Sequence, residues 1–313
     1  VCQFKSAIVA KDESSKGGFR LLMSPWTESH SELVTIFKLH DGARLTFARV
    51  EFSPESMAKA HLVETYKLKI DEERTPEWFD CEMKEQVSEK LRAYIKSIIV
   101  SGDVDLLIGG QFIVAPGAKV ASAHTMVINT ICGGTVSAIS GGTVSEISGG
   151  TVSEISGGTV SAICGGTVSA ISGGTVSEIR GGTVSAICGG TVSAICGGTV
   201  SEIWGGTVSA ICGGTVSAIS GGTVSEICGG TVSAISGGTV SAIRGGTVSA
   251  ICGGTVSAIC GGTVSAISGG TVSEIRGGTV SEIFDTFTPL IGKIIASAKI
   301  LADHRKKKAV NKL

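Results

Sequence analysis

Gly133-Gly134-Thr135-Val136-Ser137-Ala138-Ile139-Ser140 is the first perfect copy of an octapeptide, Gly-Gly-Thr-Val-Ser-(Ala/Glu)-Ile-X, that recurs nineteen times through Phe284 without insertion or deletion. A fixed short period of this kind is the signature of a solenoid, in which each unit hydrogen-bonds to its neighbours and buries its apolar residues against them. Upstream, 109–116, 117–124 and 125–132 keep the register as three degenerate octads, so the array spans 109–284. These degenerate units show which slots face inwards. Slot four is Phe112, Val120, Ile128 and then always Val, and slot seven is Ala115, Ala123, Ile131 and then always Ile. Slot six accepts Ala or Glu, and slot eight accepts Ser, Cys, Arg, Trp or Phe, a variety that only a solvent-facing position tolerates.

Strict strand alternation would send slots four and seven to opposite faces, so a bend near slots five and six is expected to bring Val and Ile to the same interior. The Gly-Gly pair supplies the other corner. Glu154, Glu178, Glu202, Glu226 and Glu274 share one phase of a 24-residue period, as do Cys164, Cys188, Cys212 and Cys260. That recurrence predicts three octads per coil. The alternative is a two-octad coil whose 24-residue unit reflects copying of the sequence. The expected fold class is mostly β: a parallel β-solenoid of octapeptide repeats, three octads or 24 residues per coil, with a small α+β N-terminal domain and a short C-terminal cap.

The regions on either side of the repeat predict its caps. Residues 1–104 read as an α+β capping domain. Phe4–Ala10 and Phe19–Met23 are strand candidates, and Leu33–Leu39 leads through His40-Asp41-Gly42 into Ala43–Phe52 as a hairpin. Leu62–Ile70 is a further strand, preceded by helical character at Glu55–Lys59. A helix is expected to start at Thr75-Pro76 and carry Phe79, Met83, Val87, Leu91, Ile95 and Ile98 on one stripe, ending near Ser101-Gly102. The solenoid itself is assigned to 105–284, and 285–313 to a C-terminal cap, helix or last imperfect coil, with a basic tail.

Composition narrows the function classes. Across 313 residues there are 46 Gly and only 4% aromatic residues, with a formal net charge of −1, so no global bias towards nucleic acid or anionic membrane exists. The one basic patch, His304, Arg305, Lys306, Lys307 and Lys308, is the only candidate contact for nucleic acid and reads as a solvated tail. There is no long apolar run and no signal-peptide pattern, so a soluble, cytoplasmic protein is expected without a membrane partner. Eight of the ten cysteines occupy slot eight, where Ser and Arg also occur. That is neither a disulfide framework nor a zinc motif, and fits a reducing compartment. In a three-octad coil Cys164, Cys188 and Cys212 would stack, read as neutral surface thiols.

The segment Ser24-Pro25-Trp26-Thr27-Glu28-Ser29-His30-Ser31-Glu32 concentrates hydroxyls, carboxylates and a histidine, yet matches no nucleophile elbow, metal spacing or phosphate loop. His30 and His40 are expected in solvated loops, and Trp26 and Trp78 as core or interface aromatics. No catalytic, cofactor-binding or metal-ligating residue is predicted, and no cofactor.

In its octads, in Trp26-Thr27-Glu28-Ser29-His30 and in the helix start at Pro76-Glu77-Trp78-Phe79, the chain resembles uncharacterised bacterial and phage proteins that join a small N-terminal domain to an octapeptide β-solenoid. The resemblance implies a fold and no activity. A non-enzymatic structural or interaction protein is therefore expected, a homo-oligomer or filament joined through solenoid ends or caps. Two alternatives stand beside it. One is a module presenting Thr/Ser ladders to ice, glycan or nucleic acid, similar to the Thr-X-Thr arrays of ice-binding solenoids. The other is an enzyme with its site in the N-terminal domain.

Overall fold

A computed structural model describes residues 5–15, 17–24, 27–40, 46–72 and 75–284. The N-terminal region is a four-stranded antiparallel sheet, β1 (Lys5–Lys11), β2 (Phe19–Leu22), β3 (Phe47–Ser53) and β4 (Lys67–Ile70), in the order β2-β1-β3-β4. Alternate residues of β1 point to opposite faces, and both faces are covered. Ala7 and Val9 share a core with Val87, Leu91 and Ile95 of helix α2 (Cys81–Ile98), while Ile8 and Ala10 pack with Leu33 of helix α1 (His30–Ile36).

Three local expectations change. Leu33–Leu39 is not a strand, because Ser29 caps a helix: its Oγ accepts from the Glu32 N–H at 3.4 Å, while its own N–H donates to Thr27 Oγ1 at 3.0 Å. The Asp41-Gly42 turn lies outside the described residues. The long helix starts at Cys81 rather than near Thr75, since Pro76 accepts from the Phe79 N–H at 2.9 Å in a turn and Asp80 Oδ1 then caps through the Met83 N–H at 2.9 Å. Leu62–Ile70 yields a strand only from Lys67; before it come 3-10 turns at Met57–Lys59 and Val63–Thr65, held by the Tyr66 hydroxyl donating to the Ala60 carbonyl at 2.8 Å.

The rest of the chain is a parallel β-solenoid of twelve-stranded sheets packed face to face. It begins straight after α2 with β5 (Ile99–Val100), β6 (Asp103–Ile108), β7 (Gln111–Val114), β8 (Lys119–His124) and β9 (Val127–Ile131). From β10 (Thr135–Ile139) to β27 (Thr271–Ile275) and β28 (Thr279–Ile283), slots three to seven of each octad form one strand. Odd strands β5 to β27 make one sheet and even strands β6 to β28 the other. Each strand pairs with the one two octads away, as in Val136 with Val152 and Ile139 with Ile155.

The coil is therefore two octads, sixteen residues, and not the three expected from the Glu phase. Like charges facing each other across a ladder repel. In a 24-residue coil the Glu residues of one phase would stand in a single column. In the sixteen-residue coil they alternate sheets: Glu154 and Glu202 lie in the even sheet, Glu178, Glu226 and Glu274 in the odd, and no slot-six Glu has another Glu directly above or below it. The sequence period keeps the charges apart because it differs from the coil period.

The expected bend is present. Slots four and seven are both fully buried, for example Val192 and Ile195, and together they form one continuous core along the array. Slot five is left out of the register, and it lies outside with slot three. The two glycines do different work. Gly158, in slot two, has φ +74°, and a Cβ there would sit 2.6 Å from the Gly142 carbonyl oxygen. Gly157, in slot one, has no positive φ, yet a Cβ would sit 2.5 Å from the Ser140 carbonyl oxygen. Successive corners stack so closely that only glycine fits either position.

Candidate functional site

The carboxylate- and hydroxyl-rich segment ahead of α1 is dispersed by the fold. Pro25 and Trp26 lie outside the described residues, Ser29 caps α1, and Glu28 and His30 go to separate places. His40 is exposed as expected, and Trp78 is half-buried against the N-terminal core and Phe79. His30 is not a solvated loop residue. It is buried, with Nδ1 2.8 Å from Asp71 Oδ2 and Nε2 3.1 Å from the Val50 carbonyl oxygen. With Glu51 these groups bring potential metal donors within 4.8 Å of one another. Both ring nitrogens are within hydrogen-bonding distance of protein oxygens, so His30 is held between the Asp71 carboxylate and the β3 backbone. The cluster anchors α1 to the sheet.

A second polar cluster was not legible in the sequence. Lys5 is fully buried, and its ammonium donates to the Ser24 carbonyl at 2.7 Å, Glu28 Oε1 at 3.0 Å and Gln111 Oε1 at 3.1 Å. Gln111 Nε2 donates to Glu28 Oε1 at 2.7 Å, the Tyr94 hydroxyl donates to Gln111 Oε1 at 2.8 Å, and the Ser6 N–H reaches Glu28 Oε2 at 2.5 Å. Burial pushes the Lys5 ammonium below its usual range and the Glu28 carboxyl above its own, each against the attraction of the other. Burial, helped by the Glu28 charge, pushes Tyr94 up to about 12.

Shifted groups of this kind mark catalytic centres in many proteins. Here all three ammonium donors are engaged, and the partners come from β1, the segment before α1, α2 and β7. The cluster clamps the N-terminal sheet to the first octad. Its only sequence signal is Gln111, which stands in slot three where the perfect octads from 133 onwards carry Thr.

The solenoid presents the remaining surfaces. Slot-three Thr is exposed on every strand from β10 to β27, giving outward hydroxyl rows on both sheets. The two slot-eight corners differ in chemistry. The corner after the even strands carries mainly Ser, with Cys188, Cys252 and Trp204, whose indole is 59% exposed. The corner after the odd strands carries Cys132, Cys164, Cys196, Cys212, Cys228 and Cys260. It also carries Arg180, Arg244 and Arg276, paired with Glu178, with Glu226 at 2.7 Å and with Glu274 at 2.7 Å. Cys188 thus does not stack between Cys164 and Cys212 but lies on the opposite corner. All nine cysteines among the described residues are free thiols.

Among the described residues the ends of the even sheet carry four of the six exposed large apolar side chains. Leu106 (50%) and Ile108 (62%) lie on β6, the first strand, and Ile283 (41%) and Phe284 (45%) lie at the end of β28, the last. Among the described residues β6 pairs only with β8, and β28 only with β26 (Thr263–Ile267). Among the described residues no helix is long and apolar enough to cross a membrane. The basic run His304–Lys308 and the predicted C-terminal cap lie outside the described residues. Fold and surfaces together define a narrow parallel β-solenoid with a small α+β N-terminal region. Comparison of the chain with protein families, with curated proteins and with solved structures found no match.

Proposed function

We propose that this protein is a non-enzymatic structural or interaction protein that self-associates head to tail through the ends of its even sheet. The observation that carries the reading is the chemistry of those ends. Ile108 and Phe284 both occupy slot eight, and Leu107 and Ile283 both occupy slot seven. If β28 of one copy pairs with β6 of the next in the register used throughout the array, Phe284 meets Ile108 and the ladder continues. Such a contact is heterologous and non-closing, so it extends into a filament. An edge strand with exposed apolar residues is a template for this addition. Following the resemblance of its octads, the setting is a bacterial or phage protein of a reducing, cytoplasmic compartment.

Sedimentation velocity over a concentration series tests the proposal. Oligomers that grow with concentration are expected for the native chain, and a folded monomer for the Leu106→Lys/Ile108→Lys variant. A native chain that stays monomeric at every concentration rules the proposal out.

The unbroken Thr rows support a second reading, a ladder surface for ice, glycan or nucleic acid. Thermal hysteresis with shaped ice crystals is expected for the ice form of it, and growth of unshaped crystals would remove that form.

A further inference from the structure

Two slot-eight side chains share a column when they lie sixteen residues apart. Of the eight repeat cysteines, only Cys196, Cys212 and Cys228 have another cysteine at that distance. Cys164 stands between Ser148 and Arg180, Cys260 between Arg244 and Arg276, Cys188 between Ser172 and Trp204, and Cys252 between Ser236 and Ser268. The three form an exposed row closed off by Arg180 at one end and Arg244 at the other. Their backbones are held in step, each slot-eight N–H bonding to the isoleucine carbonyl of the coil before, as Cys212 to Ile195 and Cys228 to Ile211 at 2.8 Å.

We propose that Cys196, Cys212 and Cys228 form a thiol–disulfide exchange site in which Cys212 links to either neighbour when a small-molecule disulfide such as oxidised glutathione is the oxidant. Adjacent strands lie about 4.8 Å apart, inside the roughly 4.4–6.8 Å range of Cα separations that disulfides span. The Cys212 thiolate attacks one sulfur of oxidised glutathione, forming a mixed disulfide and releasing one glutathione thiolate. The Cys228 or Cys196 thiolate then attacks the Cys212 sulfur and releases the second. The two protein thiols lose two electrons and two protons in all, and the small disulfide gains them. Because Cys212 is the shared partner, the row holds one disulfide at a time, and the remaining thiol can exchange into it. Desolvation, with the neighbouring Glu226 and Cys212, pushes the Cys228 thiol up to about 11, which lowers its thiolate fraction and slows its attack on the mixed disulfide.

The full chain, fully reduced and then equilibrated with oxidised glutathione, is alkylated and cleaved after Glu without reduction. Cleavage at Glu202 and Glu226 isolates Cys212 in peptide 203–226, with Cys196 and Cys228 on the peptides either side. Peptide 203–226 is expected to be linked to Cys196 or Cys228 in nearly every oxidised chain, the site within its peptide being read by fragmentation. Cys188, Cys252, Cys164 and Cys260 are expected only as mixed disulfides. Cys212→Ser should abolish every intramolecular link while circular dichroism stays unchanged, since Ser220 and Ser236 already occupy the same slot. Glutathione held on Cys212 without a link, or Cys196 linked to Cys228 in Cys212→Ser, would overturn the proposal. So would links at 24-residue spacing, Cys188 to Cys212 or Cys228 to Cys252.

Discussion

Lys5 shows how much one buried charge can determine. Its ammonium, Glu28 and Gln111 connect strand β1 to the first octad, and every donor and acceptor among them has a partner. Removing one member leaves the other charge unpaired, Lys5 in a fully buried site and Glu28 at 22% exposure, at a cost of up to about 3–5 kcal/mol. Lys5→Met and Glu28→Gln are each expected to destabilise the N-terminal region by that order in urea titration. The double variant should lose clearly less than the sum of the two, because neither charge is then left unpaired. Simple additivity would mean that the pair is not coupled as the geometry requires. Nothing in the sequence marked Lys5, since a lysine at the start of an apolar strand reads as an exposed flank. Gln111 was visible only as a departure from Thr. His30 was similarly misread, because its partners Asp71 and Val50 are distant in sequence and only the sheet brings them close.

Each octad is a strand followed by a two-glycine corner, and the corners stack directly on one another. Gly158→Ala would place a Cβ 2.6 Å from the Gly142 carbonyl in a backbone conformation, φ +74°, that L residues rarely adopt. A strain of about 1–3 kcal/mol is expected from the conformation alone, with the steric overlap in addition. In a nearly one-dimensional array, damage stays close to its coil. Hydrogen exchange should therefore show lost protection in the strands next to residue 158 and little change near residue 250, with Ser172→Ala, at an exposed slot-eight position, as a silent control. Uniform loss along the array, or none, would contradict this picture of the corner. Among the elements of the N-terminal region, the Ser29 cap of α1 was present in the sequence but masked by the β-rich composition of Leu33–Leu39. Tertiary burial of Leu33 against Ile8 and Phe47 then favours the helix.

Twelve coils at about 4.8 Å make a rod roughly 58 Å long, with the α+β region against the odd-sheet end, where Ile99 and Ile113 enter its core. Head-to-tail growth would add about one such length per copy. Micrographs of the material sedimented for the concentration series should accordingly show thin particles lengthening in steps rather than compact clusters. What the sequence alone determined was the solenoid, its register from residue 109, the inward Val and Ile, the outward Thr, and a bend within each octad. All of these follow from slot chemistry repeated many times, since a position that is always apolar or always glycine has a physical reason in every coil. The number of octads per coil, the separation of the thiols into two unlike corners, and the Lys5 clamp were decided only by tertiary structure. An octad carries the same local information whether two or three of them close a coil. The choice depends on which side chains then face each other across the ladder, and a sixteen-residue coil keeps the glutamates apart while bringing Cys196, Cys212 and Cys228 together.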